Sequence, residues 1–178
     1  TFPHTQAFLL GSCSAGGKCS FDTDITSGTI KTKLEIGPDL HLLKSNFVFI
    51  SKDSLATTDQ KAALELSGKS KANLILSETH GYLGQTDQEA AAEPLAITST
   101  SADLITGTLS LLAPDASKVL LFDGSSYKEI NSRKDGDKLI IDLKHKPWTK
   151  NVTIIRDDLK GATEDISLYL LGPFIPVK

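Results

Sequence analysis

Several segments of the chain alternate between apolar and polar residues, with the period of a β-strand that buries one face. The clearest is 29–36, where Ile30, Leu34 and Ile36 share one face and charged residues occupy the other. The same alternation recurs at 138–143, 151–156 and 165–171. These segments predict half-buried strands, with the aliphatic side chains turned towards a core.

Shorter, continuous apolar runs occur at 47–50, 74–76 and 119–122, and such runs are typical of central strands buried on both faces. Residues rich in Gly, Pro and Asp separate the runs, and Lys-Asp-Gly-Asp at 134–137 predicts a hairpin turn. Short strands that recur at this spacing indicate a single all-β domain over residues 1–178. We expect an antiparallel β-sandwich or a jelly-roll-like barrel.

Two segments depart from this pattern. Residues 86–94 have the spacing of a helix-capping box from Thr86 to Glu89, followed by three alanines and Pro94. Residues 58–66 are compatible with either a helix or a strand. The sequence therefore predicts one or two short helices within the loops.

Composition excludes several classes of function. The net charge of −3 and the isoelectric point near 5.8 provide no basic surface for nucleic acid. No apolar stretch approaches the roughly 20 residues of a membrane-spanning helix, so we expect no transmembrane segment. The chain starts at Thr1 and contains no methionine. A mature protein whose signal segment has been removed has such a sequence, so we expect a secreted or cell-surface protein.

The two cysteines support the same compartment. Cys13 and Cys19 enclose a short glycine-rich stretch, and we predict that they form a disulfide, a bond that persists in oxidising environments. Two free buried thiols are the next alternative. A metal pair would need further ligands, of which only His4 is near, and a redox pair would be spaced Cys-x-x-Cys. A loop this short is expected to add about 2 kcal/mol or less to stability.

Some polar residues suggest binding sites. The pairs Asp22/Asp24 and Asp135/Asp137 each offer two oxygen ligands from a loop, an arrangement that can bind calcium but is more often a solvated turn. We therefore expect no cofactor, with calcium as the alternative. Asn151 begins an Asn-Val-Thr sequence, the acceptor pattern for N-glycosylation.

Catalytic residues are less evident. The four histidines, which show no metal-ligand spacing, are His4, His41, His80 and His145. The sequence also contains no nucleophile elbow. Glu78 and His80 could contribute to a hydrolase site with an aspartate from another loop. We nevertheless expect a protein that is not an enzyme.

Aromatic residues offer one alternative function. Trp148, the only tryptophan, follows a polar turn and, with Tyr127, could form a platform for carbohydrate. A single tryptophan at the end of a strand more often covers the core.

Both ends of the chain are apolar. Residues 172–178 read as an extended segment whose prolines, Pro173 and Pro176, exclude a central strand position. Such an arm, or the apolar residues within 1–10, would pack on the edge of its own sheet or insert into a second subunit. The leading interpretation is a non-enzymatic structural or adhesive subunit of a surface assembly. A carbohydrate-binding module and a hydrolase centred on His80 are the alternatives.

Overall fold

The computed structural model describes residues 10–14, 18–50, 54–57, 59–67, 72–79, 87–156 and 162–178. Within them the chain forms β-strands and no helix. The strands are β1 (Gly11–Cys13), β2 (Cys19–Phe21), β3 (Ser27–Ile36), β4 (Asp39–Ile50), β5 (Ser54–Ala56), β6 (Ala62–Leu66), β7 (Leu74–Glu78), β8 (Leu95–Ser99), β9 (Ile105–Leu112), β10 (Lys118–Phe122), β11 (Tyr127–Ile130), β12 (Arg133–Asp135), β13 (Lys138–His145), β14 (Trp148–Arg156) and β15 (Ala162–Val177).

The strands assemble into two main sheets and one small hairpin. The eight-stranded sheet has the order β11-β10-β15-β8-β7-β4-β3, with β14 paired to β15 beside this path. The five-stranded sheet has the order β12-β13-β9-β6-β5, and β1 pairs with β2. The pairing within both sheets is antiparallel. The predicted all-β antiparallel class is therefore confirmed.

Apolar side chains, mostly aliphatic, fill the space between the two sheets. Alternate residues of the central strands point inwards, because the side chains of a strand alternate between its faces. The fully buried members include Leu74, Leu76, Ile97, Leu109, Leu111, Leu139, Ile141, Leu171 and Phe174. The inward face predicted for 138–143 is confirmed, as are internal strands at 74–76 and 119–122.

The prediction that two prolines keep the C-terminus out of a central position is wrong. β15 lies between β8 and β10, and Phe174, Ile175 and Val177 are fully buried. Pro173 falls where the pairing with β8 changes register, and bulges tolerate proline. The carbonyl of Pro176 accepts a hydrogen bond from Ala91 N at 2.8 Å, so its donor-less nitrogen faces that segment and not β10.

The short helices predicted in loops are not found in the described residues. Residues 87–94 form bends, and Ala90 makes an isolated bridge to Val177. Hydrogen bonds to the C-terminal strand thus replace those of the predicted helix. Of the segment 58–66, residues 62–66 are strand β6, preceded by a turn; Thr58 and Thr86 lie outside the described residues.

Two pairs of strands extend beyond the eight-stranded sheet. β4 contacts β7 only through Phe47–Ile50, so residues 29–46 of β3 and β4 form a two-stranded extension that we call the β3–β4 ribbon. β15 reaches β8 only from Tyr169 onwards, and its earlier part forms a β14–β15 ribbon. Both β4 and β15 run from their ribbon into the sheet, and three antiparallel pairings separate them. The ribbons therefore leave opposite ends of the sheet.

The prediction that residues 29–36 bury one face in the core is wrong for Ile30 and Ile36, because these residues lie in the β3–β4 ribbon. The strand is present, but Ile30 and Ile36 are 42% and 61% exposed because the ribbon extends past the sheets that would cover them.

We predict that Gly107→Ala destabilises the sandwich by about 1–3 kcal/mol. Gly107 lies in β9 between β6 and β13, and an added Cβ would overlap the carbonyl oxygen of Glu65 and contact Leu66 Cα at 3.0 Å. Both are backbone atoms of a paired strand, which cannot move aside independently. Urea unfolding followed by circular dichroism measures the change. Thr108→Ala on the same strand is the control and is expected to cost less than about 1 kcal/mol; equal effects would contradict the prediction.

Candidate functional site

The predicted disulfide lies at a small hairpin. Cys13 and Cys19 are directly opposed in the β1–β2 pairing, and Ser14 N donates to Lys18 O at 2.9 Å beside them. Because hydrogen-bonded and non-hydrogen-bonded pairs alternate, Cys13 and Cys19 form a non-hydrogen-bonded pair, where Cα atoms are about 4.5 Å apart. That spacing is within the range that a disulfide spans. The side chain of Cys13 lies outside the described residues, so the bond stays a prediction.

The structure brings Trp148 and Tyr127, the predicted carbohydrate-binding residues, together around Phe122. The ring of Phe122 lies 5.1 Å from that of Tyr127 and 5.6 Å from that of Trp148, centroid to centroid. Trp148 is half-buried, and its indole Nε1 donates to the carbonyl of Gly172 at 3.0 Å. The rings of Tyr127 and Trp148 thus both pack on Phe122, and a hydrogen bond connects Trp148 to Gly172 of β15. Carbohydrate binding at this cluster stays a prediction.

The aspartate pairs predicted to bind calcium are all exposed. Within the described part of the chain, neither pair comes within 4.8 Å of the further carboxylate or histidine that a group of three would need. Their members are Asp22, Asp24, Asp135 and Asp137. The latter pair flanks the hairpin between β12 and β13, where Gly136 has φ of 58°, so the predicted turn is confirmed.

The remaining candidates are dispersed. Asn151 is exposed on β14 and accepts a hydrogen bond from Ser167 Oγ at 2.9 Å, which leaves its glycosylation a prediction. His145 is half-buried, and burial lowers its pKa. His41 is exposed on the β3–β4 ribbon. His4 and His80 lie outside the described residues, so the hydrolase prediction stays untested.

A different group of carboxylates converges where the sheets meet. One oxygen each from Asp59, Glu78 and Glu93 lies within 4.8 Å of the others. Asp59 belongs to the turn between β5 and β6 of the five-stranded sheet, whereas Glu78 ends β7 and Glu93 precedes β8 in the eight-stranded sheet. Lys61 Nζ lies 3.4 Å from Asp59 Oδ2 and 2.8 Å from Glu93 Oε2. We refer to the three acids as the carboxylate cluster.

Asp59 is fixed by a compact turn. The buried Thr57 hydroxyl donates to Asp59 Oδ1 at 2.6 Å and accepts from Ala62 N at 3.0 Å. Lys61 N also donates to Asp59 Oδ1, at 3.1 Å. Desolvation raises the pKa of Asp59, but these hydrogen bonds outweigh it and lower the pKa below its usual value. The carboxylate is therefore held in position and ionised.

Glu78 is the buried member of the carboxylate cluster. Its residue surface is 7% exposed, and Oε2 accepts a hydrogen bond from Asn46 N at 2.8 Å. Its other oxygen, Oε1, is buried and has no hydrogen-bond partner among the described residues. Sequence reasoning considered Glu78 only with His80 and missed Asp59 and Glu93, because strand pairing, and not sequence spacing, brings the three together.

The β3–β4 ribbon is the other unusual surface. Leu40 and Leu42 are 54% and 76% exposed, in addition to Ile30 and Ile36 on the opposite face. Within the described residues β3 pairs with β4 alone, so the far side of β3 presents unpaired backbone groups.

Comparison of the chain with protein families, with curated proteins and with solved structures found no match. Within its described residues, no helix has the length and apolar character needed to cross a membrane. Inference about function therefore depends on the geometry of the chain itself.

We predict that the thiols of Cys13 and Cys19 do not react with an alkylating agent in the unfolded, unreduced protein. Intact mass should be unchanged by alkylation before reduction and should increase by two adducts after it. Two adducts on the unreduced protein would show that the hairpin is not cross-linked.

We predict that Trp148→Phe destabilises the fold by about 1–3 kcal/mol, because it removes the donor to the Gly172 carbonyl. Circular dichroism during urea unfolding provides the measurement, since the variant lacks tryptophan fluorescence. A glycan array distinguishes the two roles of this residue: strong binding by the wild type that Trp148→Phe abolishes without loss of stability would establish a ligand platform instead.

Proposed function

We propose that this chain is a non-enzymatic structural or adhesive subunit of an extracellular surface assembly, in which copies contact one another through the β3–β4 ribbon. The observation that carries the proposal is the exposure of four large aliphatic side chains on that ribbon, between 42% and 76% each. The predicted disulfide supports the extracellular location.

Exposed aliphatic surface favours association. Burial of apolar area contributes roughly 25 cal/mol per Å², and clustered apolar side chains mark interaction sites more reliably than isolated ones. Leu40 and Leu42 lie near the turn, on the face that also carries Lys31, Lys33, Lys44 and Glu35, of which Lys33 and Glu35 form an ion pair at 2.9 Å and leave a net positive charge. A contact there would combine apolar burial with positive charge.

The edge of β3 adds a directional component. Ser27–Ile36 forms the end of the eight-stranded sheet, and a strand from another molecule can add to such an edge by backbone hydrogen bonding. Lys31 and Lys33 on β3 are the kind of residue that limits uncontrolled pairing of edges. The edge is thus suited to a specific partner strand.

The geometry favours a second copy as that partner. Each molecule has a ribbon at either end of the same sheet, so contact between unlike ends can repeat from copy to copy. This route differs from the predicted C-terminal arm, since residues 171–177 are buried within their own sheet. The N-terminal residues 1–9 lie outside the described residues.

We predict that the wild type forms oligomers that grow with concentration and that the double variant Leu40→Lys/Leu42→Lys is monomeric. The added charges replace exposed aliphatic groups without disturbing the core, so thermal stability should be unchanged. Analytical ultracentrifugation over a concentration series measures the mass.

Leu112→Lys provides the matched control, because Leu112 is 41% exposed at the end of β9 in the five-stranded sheet and belongs to neither ribbon. It should assemble as the wild type does. A wild type that is monomeric at about 1 mM, where contacts stronger than about 4 kcal/mol would persist, would refute the proposal.

A further inference from the structure

The carboxylate cluster of Asp59, Glu78 and Glu93 has the properties of a cation site. We propose that these three side chains bind one calcium ion at the junction of the two sheets. This inference is independent of the proposed assembly, since none of the three residues belongs to the β3–β4 ribbon.

The environment of the Glu78 carboxylate favours a bound cation. Oε1 lies out of contact with solvent and accepts no hydrogen bond from any residue that the structure describes, an arrangement that is costly for a carboxylate unless a cation balances it. Lys61 is the nearby ammonium, but its ion pairs are with Asp59 and Glu93, and no pair with Glu78 is formed within 4.0 Å. Within the described part of the chain, Glu78 thus has no cationic side chain within ion-pair distance.

Charge balance points to a divalent ion. Three carboxyl groups accompany one ammonium among the described residues, that of Lys61, so the fully ionised group has a net charge of −2. The hydrogen bonds from Thr57 and Lys61 hold Asp59 ready as a ligand. A divalent cation would balance that charge.

Ligand type and spacing select calcium among divalent ions. All three ligands are oxygens, which favour calcium and magnesium over zinc. Calcium binds oxygens at about 2.3–2.6 Å, so its ligands can be up to about 5 Å apart across the ion. The oxygens of the carboxylate cluster lie within 4.8 Å of one another, which suits calcium. Magnesium demands near-ideal octahedral geometry at about 2.0–2.1 Å and keeps several of its waters, so a group of three protein carboxylates suits it less well.

A bound ion would connect the two sheets. Asp59 belongs to the five-stranded sheet's loop, and Glu78 and Glu93 flank the pairing of β7 with β8. Binding to the folded state alone shifts the unfolding equilibrium towards the native protein. Calcium should therefore act as a stabilising ligand of the sandwich.

Thermal unfolding of the full chain tests the proposal in CaCl2, in MgCl2 and in NaCl of matched ionic strength. At a hundred times the dissociation constant, calcium should raise Tm by roughly 5–10 °C for a domain of this size, and magnesium should raise it less. Isothermal titration calorimetry should give one calcium per chain.

Glu78→Gln should abolish the calcium response while the protein stays folded. The glutamine carbonyl can still accept from Asn46 N, and its amide can donate to the neighbouring carboxylates, so stability without calcium should be equal to or above that of the wild type. Glu93→Gln should weaken binding in the same direction. Glu129→Gln, which alters an exposed ion pair with Lys118, is the matched control and should respond to calcium as the wild type does.

Three outcomes would overturn the site. One is a wild type whose Tm is the same in calcium and in matched NaCl. Another is a calcium response that persists in Glu78→Gln. The third is a response lost in Asp135→Asn/Asp137→Asn and retained in Glu78→Gln, which would assign the ion to the β12–β13 hairpin instead. A larger response to magnesium than to calcium would refute the choice of ion.

Discussion

The position of β15 between β8 and β10 is the constraint on which the rest of the structure depends. Pairing on both sides joins β10 and β11 to the strands from the first half of the chain. Leu171 and Phe174 place their side chains in the main core, while Ile175 and Val177 pack with Leu120 on the other face. The last strand of the chain thus completes the sheet and both apolar layers.

Local patterns in the sequence were sufficient for much of this fold. The alternation at 138–143 and the Asp-Gly turn before it predict β13 and its hairpin correctly, because both features depend on neighbouring residues. The prolines led to a wrong prediction about the C-terminal strand. A proline destabilises a strand mainly where its nitrogen, which has no hydrogen to donate, faces a paired neighbouring strand. The nitrogen of Pro176 faces the segment around Ala90, which forms only an isolated bridge to β15 within the described residues. Tertiary pairing, and not the local sequence, decides this arrangement.

The candidate sites show the same limit more strongly. Alternation at 29–36 predicts a strand but cannot reveal that the strand extends beyond the opposite sheet, which is why Ile36 is exposed. The carboxylate cluster depends on the pairing of Glu78 with Leu95 and on the turn that fixes Asp59. Neither contact follows from a local sequence pattern. Aspartates close in sequence, such as Asp135 and Asp137, are easily recognised, but they remain separate from any third ligand among the described residues.

The ribbons at opposite ends of one sheet also give the molecule a direction. A chain of copies joined through unlike ends would be polar, with one kind of ribbon free at its first subunit and the other kind at its last. Its two tips would differ chemically, so growth and attachment could be controlled separately. Such a series forms a ring where the rotation between neighbours closes it and stays open otherwise, and the length of an open series would be limited by whatever occupies a terminal ribbon.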